Sequence, residues 1–157
     1  MNQRIFKSKE NFGRSFDEFV IDDVIKHWPG KSITESDNNL FSLLTMNHHP
    51  IHIDKKFAET QKHQKILVVG TLVFSLVVGL SVKDISGFAI ANLGYESIIH
   101  LNPVFIGDTI YAETKILNKE LTKSKTKGIV YVETTGFNQK ETPVIMFKRH
   151  FLVALSK

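Results

Sequence analysis

The sequence contains no cysteine. The chain can therefore form no disulfide, no thiolate nucleophile and no cysteine-based metal site. The N-terminal stretch MNQRIFKSKENFGRSF also lacks the apolar core of a secretory signal peptide, so a cytoplasmic location is expected. No internal repeat and no low-complexity segment is present. The function must therefore be sought in individual motifs.

Length and composition are those of one globular domain. The chain has 157 residues, of which 42% are hydrophobic and 23% charged, enough to bury a core and too short for two domains of typical size. Its formal net charge of +4 is mildly basic, which would suit an anionic ligand. The densest basic stretch, residues 119–127, contains no aromatic residue, so we interpret it as a solvated hairpin loop and expect no nucleic-acid partner.

One segment is uncharged for long enough to resemble a membrane span. Residues 66–82 read ILVVGTLVFSLVVGLSV and reach the lower limit of length for a transmembrane helix. The Gly, Ser and Thr interruptions, the nearby charges and the strand-rich remainder favour a helix at about residues 70–83 that is buried on all sides in a soluble fold. No membrane partner is expected.

The first third of the chain predicts short elements around a polar loop. A Pro-Gly turn at 29–30 separates two extended stretches. Thr34 is a good N-cap for a helix running to about residue 46, with Asp37 at the capping-box position. The apolar face of this helix is predicted to comprise Leu40, Phe41, Leu43 and Leu44.

The polar run at residues 47–49, followed by Pro50, is predicted to leave the helix as a loop that carries His52 and Asp54. Asp54 is also predicted to cap a short helix over residues 55–60.

After residue 88 the apolar pattern changes from helical to alternating. Strands are predicted at about 88–101, 109–120, 128–138 and 143–155, joined in part by short polar connections that allow antiparallel pairing. One sheet and one very apolar helix predict an α+β domain in which the sheet wraps the helix.

His52 is the best candidate for proton transfer, because imidazole exchanges protons near neutral pH. It lies in the string NHHPIHIDKKFAET (residues 47–60), which is followed by VVGTLVFSLVVGL (68–80) and NPVFIGDTI (102–110). The three strings in this order resemble the MaoC-like branch of the hot-dog superfamily, which includes the R-specific enoyl-CoA hydratases. The matching residues are Pro50, Ile51, His52, Asp54, Phe57, Ala58, Gly70, Pro103, Val104, Phe105, Gly107 and Asp108.

This resemblance implies a single hot-dog domain over residues 16–157, preceded by a flexible segment at 1–15. It also implies a homodimer or higher homo-oligomer, an acyl-CoA thioester as substrate, and no cofactor beyond the coenzyme A that the substrate carries. The implied reaction adds or removes water across an α,β double bond, with His52 catalytic. The chain has Asn47 where the hydratases carry an acidic partner for this histidine, and His49 where they carry Asn.

Gly70 is predicted to begin the central helix, where its backbone N–H is unpaired and the lack of a side chain admits a thioester carbonyl. The resemblance assigns it the oxyanion contact, and a plain turn glycine is the alternative. A narrower resemblance to the mesaconyl-CoA hydratases of the same family implies a substrate with a second carboxylate, which His49 and His100 would suit.

Three functions remain open from the sequence. The first is an enoyl-CoA hydratase or dehydratase in which His52 transfers the proton and Asn47 positions the water. The others are a non-catalytic module that binds acyl-CoA or a protein, and a thioesterase. Only Asp37 and Asp54 are candidates for an acid near His52, and no metal site is predicted.

Overall fold

The structure is a computed structural model that describes residues 12–156, so the predicted flexible segment falls mostly outside the described residues. Within residues 12–156, five strands and four α-helices follow one another. They are β1 (Val24–Ser32), α1 (Glu35–Leu44), α2 (Pro50–Ile53), α3 (Lys55–Glu59), α4 (Gly70–Ser81), β2 (Ala89–His100), β3 (Thr109–Leu121), β4 (Lys127–Phe137) and β5 (Pro143–Ala154). A 3₁₀ turn (Phe16–Glu18) precedes β1, and a π-helical turn (Val82–Ser86) extends α4.

All five strands form one antiparallel sheet in the order β1-β3-β4-β5-β2. The short polar connections make β3, β4 and β5 a meander, as predicted. β2 crosses to the far side and pairs with β5 alone, so β1 and β2 are the two edges of the sheet. The predicted α+β arrangement, with strand bounds within two residues, is confirmed.

The central helix packs across the sheet and forms the core with it. Val73 and Val77 of α4 are buried against Ile110, Ile145 and Phe147 of the strands. Alternate residues of β4 and β5 point to this side, which is the period-2 pattern seen in the sequence. A second buried cluster around Phe16, Ile85 and Phe151 continues the core beyond the end of α4.

The prediction that α4 is buried on all sides is wrong for the single chain. Thr71, Ser75 and Gly79 are spaced four residues apart and are exposed along one stripe. All three are small or polar residues, so the helix has one exposed stripe despite its lack of charge. No helix within residues 12–156 is long and apolar enough to cross a membrane.

The N-terminal helix also differs from its predicted orientation. α1 begins after Thr34, whose side chain accepts a hydrogen bond from Asp37 N, and the capping box is confirmed. The face it buries is polar, however, and consists of Asn38 and Ser42, while Leu40, Leu43 and Leu44 are exposed. The predicted apolar face therefore lies on the outside of the chain.

Two turn predictions are also corrected. Pro29 and Gly30 lie inside β1, where the pairing with β3 shifts register between His27 and Lys31, and they form a bulge rather than a turn between strands. His52 is not in a loop but in the one-turn helix α2, which Pro50 begins.

A buried polar network closes the C-terminal end of α4. His27 donates from Nδ1 to Asp84 at 2.8 Å and accepts from Thr114 Oγ1 at Nε2, also at 2.8 Å. Burial lowers the pKa of His27, which keeps the ring neutral at physiological pH. Arg149 interrupts the apolar face of β5, and it donates to Ser81 Oγ at the last turn of α4.

Gly136 provides a test of how closely the sheet approaches α4. A Cβ at this position would lie 2.6 Å from Val77 Cγ2. We expect Gly136→Ala to lower the free energy of unfolding by about 1–3 kcal/mol, because it overpacks the core. Urea denaturation measures the change. Gly79→Ala on the exposed face of the same helix meets nothing within 4 Å and should stabilise by about 0.5–1 kcal/mol. Equal effects of the two changes would contradict this packing.

Candidate functional site

A cleft of about 360 Å³ lies at the N-terminal end of α4. Its lining residues come from α2, from the segment before α4, from α4 itself, from the end of β2 and the segment that follows it, and from β5. These are His52, Leu67, Val68, Gly70, Val73, His100, Leu101, Asn102, Pro103, Val104 and Val144. An apolar wall with a few polar groups is typical of a small-molecule site. His52 and Gly70 were predicted from the sequence as site residues for separate reasons. In the fold both of them line this cleft.

A larger groove of about 640 Å³ runs along β1 and β3. Its histidine, His27, has both ring nitrogens engaged by Asp84 and Thr114. That groove therefore offers no free imidazole for proton transfer, and the smaller cleft is the better candidate.

The orientation of His52 is fixed by a backbone carbonyl. Its Nδ1 lies 2.8 Å from Leu67 O, and because a carbonyl oxygen can only accept, Nδ1 must carry the proton. In the neutral ring Nε2 is then unprotonated. His52 is thus held in the tautomer that can take a proton at Nε2.

Neither acid considered from the sequence reaches His52. Asp37 accepts from Lys31 Nζ at 2.6 Å and from Thr34, and these bonds lower its pKa to about 2. Asp54 accepts from Phe57 N at 3.0 Å and caps α3, as predicted. Within the described part of the chain, the hydrogen-bond partner of the His52 ring is therefore a carbonyl and not a carboxylate.

Asn38 joins the histidine helix to the start of α4. Its Nδ2 donates to His52 O at 2.8 Å, and its Oδ1 accepts from Val69 N at 2.9 Å. The side chain is fully buried, so each of these bonds replaces a contact with water that the amide has lost. The sequence reasoning missed Asn38. The available signal was its i,i+4 spacing from Ser42, which marks a polar face on α1.

The first turn of α4 leaves backbone donors open. Val69 occupies the N-cap and provides no side-chain acceptor, whereas most helices have Ser, Thr, Asp or Asn there. Among residues 12–156, Gly70 N and Thr71 N meet no protein acceptor. These N–H groups at the positive end of the helix can donate to an oxygen that carries developing negative charge.

His100 packs directly against Gly70. A Cβ built on Gly70 would lie 2.9 Å from His100 Cε1 and 3.1 Å from Nε2. The glycine thus makes room both for the imidazole and for access to its own N–H. The two histidines of the cleft, His52 and His100, lie on different elements that meet at the start of α4.

The other two predicted site residues lie outside the lining of this cleft. His49 is the N-cap of α2, and its Nδ1 accepts from Ile51 N at 3.2 Å. Its ring also contacts those of His52 and Phe57 at about 6.1 Å between centroids. Asn47 follows α1, and its backbone N–H donates to Ser42 O. Within residues 12–156, no group of three or more His, Asp or Glu side chains is placed to hold a metal ion.

Comparison with known proteins identifies the family. The MaoC like domain family matches residues 18–138, and the chain belongs to this family. A curated relative, mesaconyl-CoA hydratase of Cereibacter sphaeroides, is 32% identical over 145 residues, which are 92% of this chain and 42% of the relative. The chain therefore spans less than half the length of this relative.

Solved structures show the same fold. A MaoC domain protein from Chloroflexus aurantiacus J-10-fl superposes with a TM-score of 0.90 and 31% identity, over 94% of this chain and 42% of that one. A Mycobacterium tuberculosis protein with a double hotdog fold gives a TM-score of 0.83 at 19% identity, over 92% of this chain and 45% of that one. The predicted hot-dog fold is confirmed.

The Asn38 bridge is testable by an isosteric change. Asn38→Asp retains the acceptor for Val69 N but replaces the donor to His52 O with a carboxylate oxygen, so two buried acceptors face each other. We expect the free energy of unfolding to fall by about 1–3 kcal/mol, the cost of unsatisfied buried groups. Urea denaturation checks this. The control is Asn118→Asp on the exposed face of β3, where Oδ1 accepts from Lys119 N and a carboxylate can do the same. An Asn38→Asp chain as stable as its control would show that the bridge contributes little.

Proposed function

We propose that this chain is an enoyl-CoA hydratase or dehydratase, a lyase that adds water to or removes it from an α,β-unsaturated acyl-CoA. One observation carries the proposal: an imidazole held with a free Nε2 and a helix N-terminus with unbonded N–H groups line the same small cleft. Hydration needs a base for the water and stabilisation of charge on the thioester oxygen. Family membership and the hydratase named among the relatives support the same chemistry.

In the proposed mechanism His52 Nε2 takes a proton from a bound water. The water oxygen forms a bond to the β-carbon, and the π electrons of the double bond move through the α-carbon onto the thioester oxygen. The N–H of Gly70 donates to this enolate oxygen. The enolate then collapses, and the α-carbon takes the proton from the His52 imidazolium. Dehydration is the same sequence in reverse.

The roles proposed for Asn47 and His49 come from their positions in the family motif. An amide can both donate to and accept from a water molecule but cannot act as a base, so the proposed role of Asn47 is to position the water. The proposed role of His49 is to bind substrate through its ring. Because Nδ1 of His49 is used as the α2 cap, only its Nε2 is available for that contact.

The proposed substrate class is an enoyl-CoA whose acyl group carries a second carboxylate, as mesaconyl-CoA does. The relative of that name supports this choice. The cleft supports it too, since the described part of its lining contains two histidines and no Asp or Glu that would repel a carboxylate. Coenzyme A belongs to the substrate in this proposal, and no separate cofactor is needed.

We also propose that the chain functions in the cytoplasm as a homodimer. β2 is an edge strand with free backbone groups on its outer side, and Ile90, Leu93 and Ile98 on it are exposed. α1 exposes its leucines as well. Exposed apolar surface of this extent is typical of an interface. One similar protein is about twice as long as this chain and has a double hotdog fold. Two copies of this chain would likewise provide two hot-dog domains.

The dimer predicts a solution mass of about twice 17.9 kDa by light scattering. Leu93→Glu should shift the mass toward one chain, because it places a charge on the exposed face of the edge strand. Val20→Glu, also at an exposed apolar residue but away from β2, is the control. A wild-type chain that stays monomeric at high concentration would contradict the dimer.

The catalytic role of His52 predicts a large loss of turnover in His52→Gln. Without general acid–base help the rate should fall about 10²–10⁴-fold. The measurement is the ultraviolet absorbance of the conjugated thioester, followed with mesaconyl-CoA and crotonyl-CoA. His48→Gln, four residues away and exposed, should retain wild-type turnover.

The same assay separates the other functions. Asn47→Asp should keep or raise turnover on crotonyl-CoA, because it restores an acid at the motif position. Substantial turnover by folded His52→Gln would remove His52 from the mechanism. A wild-type chain that binds acyl-CoA without changing the double bond would favour the binding module, and release of free coenzyme A would favour a thioesterase.

A further inference from the structure

His100 is a polar residue in a mostly apolar cleft and has no evident structural task. It is the last residue of β2, where its backbone pairs with Ile145. Among residues 12–156, no hydrogen bond engages either nitrogen of its ring. His49, by contrast, caps a helix, and His27 is bonded at both nitrogens. A ring held against Gly70 without a protein partner is available to a ligand.

The polar groups of the cleft divide into those already engaged and those still free. His52 is bonded at Nδ1 to Leu67 O, and only its Nε2 remains, which the proposed mechanism uses. Asn102 donates from Nδ2 to Pro143 O at 2.7 Å. Among the residues that the structure describes, no Lys or Arg lines the cleft. His100 is therefore the cleft side chain with a ring N–H donor to spare for an anionic group.

We infer that His100 selects substrates whose acyl group carries a carboxylate, by donating a hydrogen bond to that group. This inference rests on the proposed function and names the residue that sets its substrate class. The carboxylate loses water when it enters the apolar cleft, so binding requires a donor within it. An imidazole N–H is such a donor in either neutral tautomer, and the protonated ring adds charge. An acyl group without a carboxylate needs no such hydrogen-bond donor, so it should bind equally well without His100.

Two saturated thioesters test the inference without requiring turnover. Succinyl-CoA carries the second carboxylate, and butyryl-CoA has the same chain length and ends in a methyl group. The dissociation constants of both are measured by calorimetry for wild type and for His100→Phe, which keeps a ring against Gly70 and removes its donors. We expect His100→Phe to weaken succinyl-CoA binding by about 10- to 100-fold, the range for a hydrogen bond to a charged group, and to change butyryl-CoA binding less than twofold.

A matched variant and a kinetic readout separate selection from a structural role. His63→Gln removes a histidine that packs on Phe105 outside the cleft lining, and it should leave both constants unchanged. In turnover, His100→Phe should raise KM for mesaconyl-CoA with little change in kcat, while the crotonyl-CoA values stay near wild type. Equal loss on both ligands, or no loss on either, would overturn the selective role. A wild-type chain that bound neither thioester would instead refute the proposed function.

Discussion

The buried side-chain amide of Asn38 connects the two parts of the chain on which the candidate site depends. It donates to the backbone of α2 and accepts from the residue that precedes α4, at 2.8 and 2.9 Å. The histidine helix is a single turn and cannot fix its own position. Its position relative to Gly70 comes from this amide, from the His52 bond to Leu67 O and from the backbone bond between Leu67 N and Ile51 O. These four bonds hold the proposed base and the helix N-terminus as one unit.

This constraint explains why α1 buries its polar face. An apolar residue at position 38 would leave His52 O and Val69 N unpaired inside the protein, which costs about 1–3 kcal/mol for each group. The leucines of α1 are then free for contact with another surface. Sequence periodicity identified the helix correctly but assigned its faces by hydrophobicity alone. That assignment fails where a buried polar contact outweighs apolar burial.

The elements of the fold were predictable because their signals are local. Alternation along β3 to β5, the capping box at Thr34 and Asp37, and the uncharged run that becomes α4 each identify an element. The crossover that places β2 beside β5 has no local signal, since it depends on the packing of the whole sheet. For the same reason the motif indicated His52 and Gly70 but not Asn38, whose side chain bonds to residues 14 and 31 positions away. Hydrogen bonds between residues distant in sequence are formed only by the folded chain.

The carbonyl partner of His52 affects how well the imidazolium of the proposed mechanism is stabilised. A carboxylate at Nδ1 would stabilise the imidazolium that forms when the water loses its proton, whereas a neutral carbonyl stabilises it less. In the proposed mechanism more of the barrier is then lowered by stabilising the enolate. In the proposed mechanism the open N–H groups of α4 provide this stabilisation, and such an effect is large where water is excluded. On this proposal, a chain with Asn47 at the acidic position depends more heavily on the first turn of its central helix than a hydratase with the full Asp–His pair.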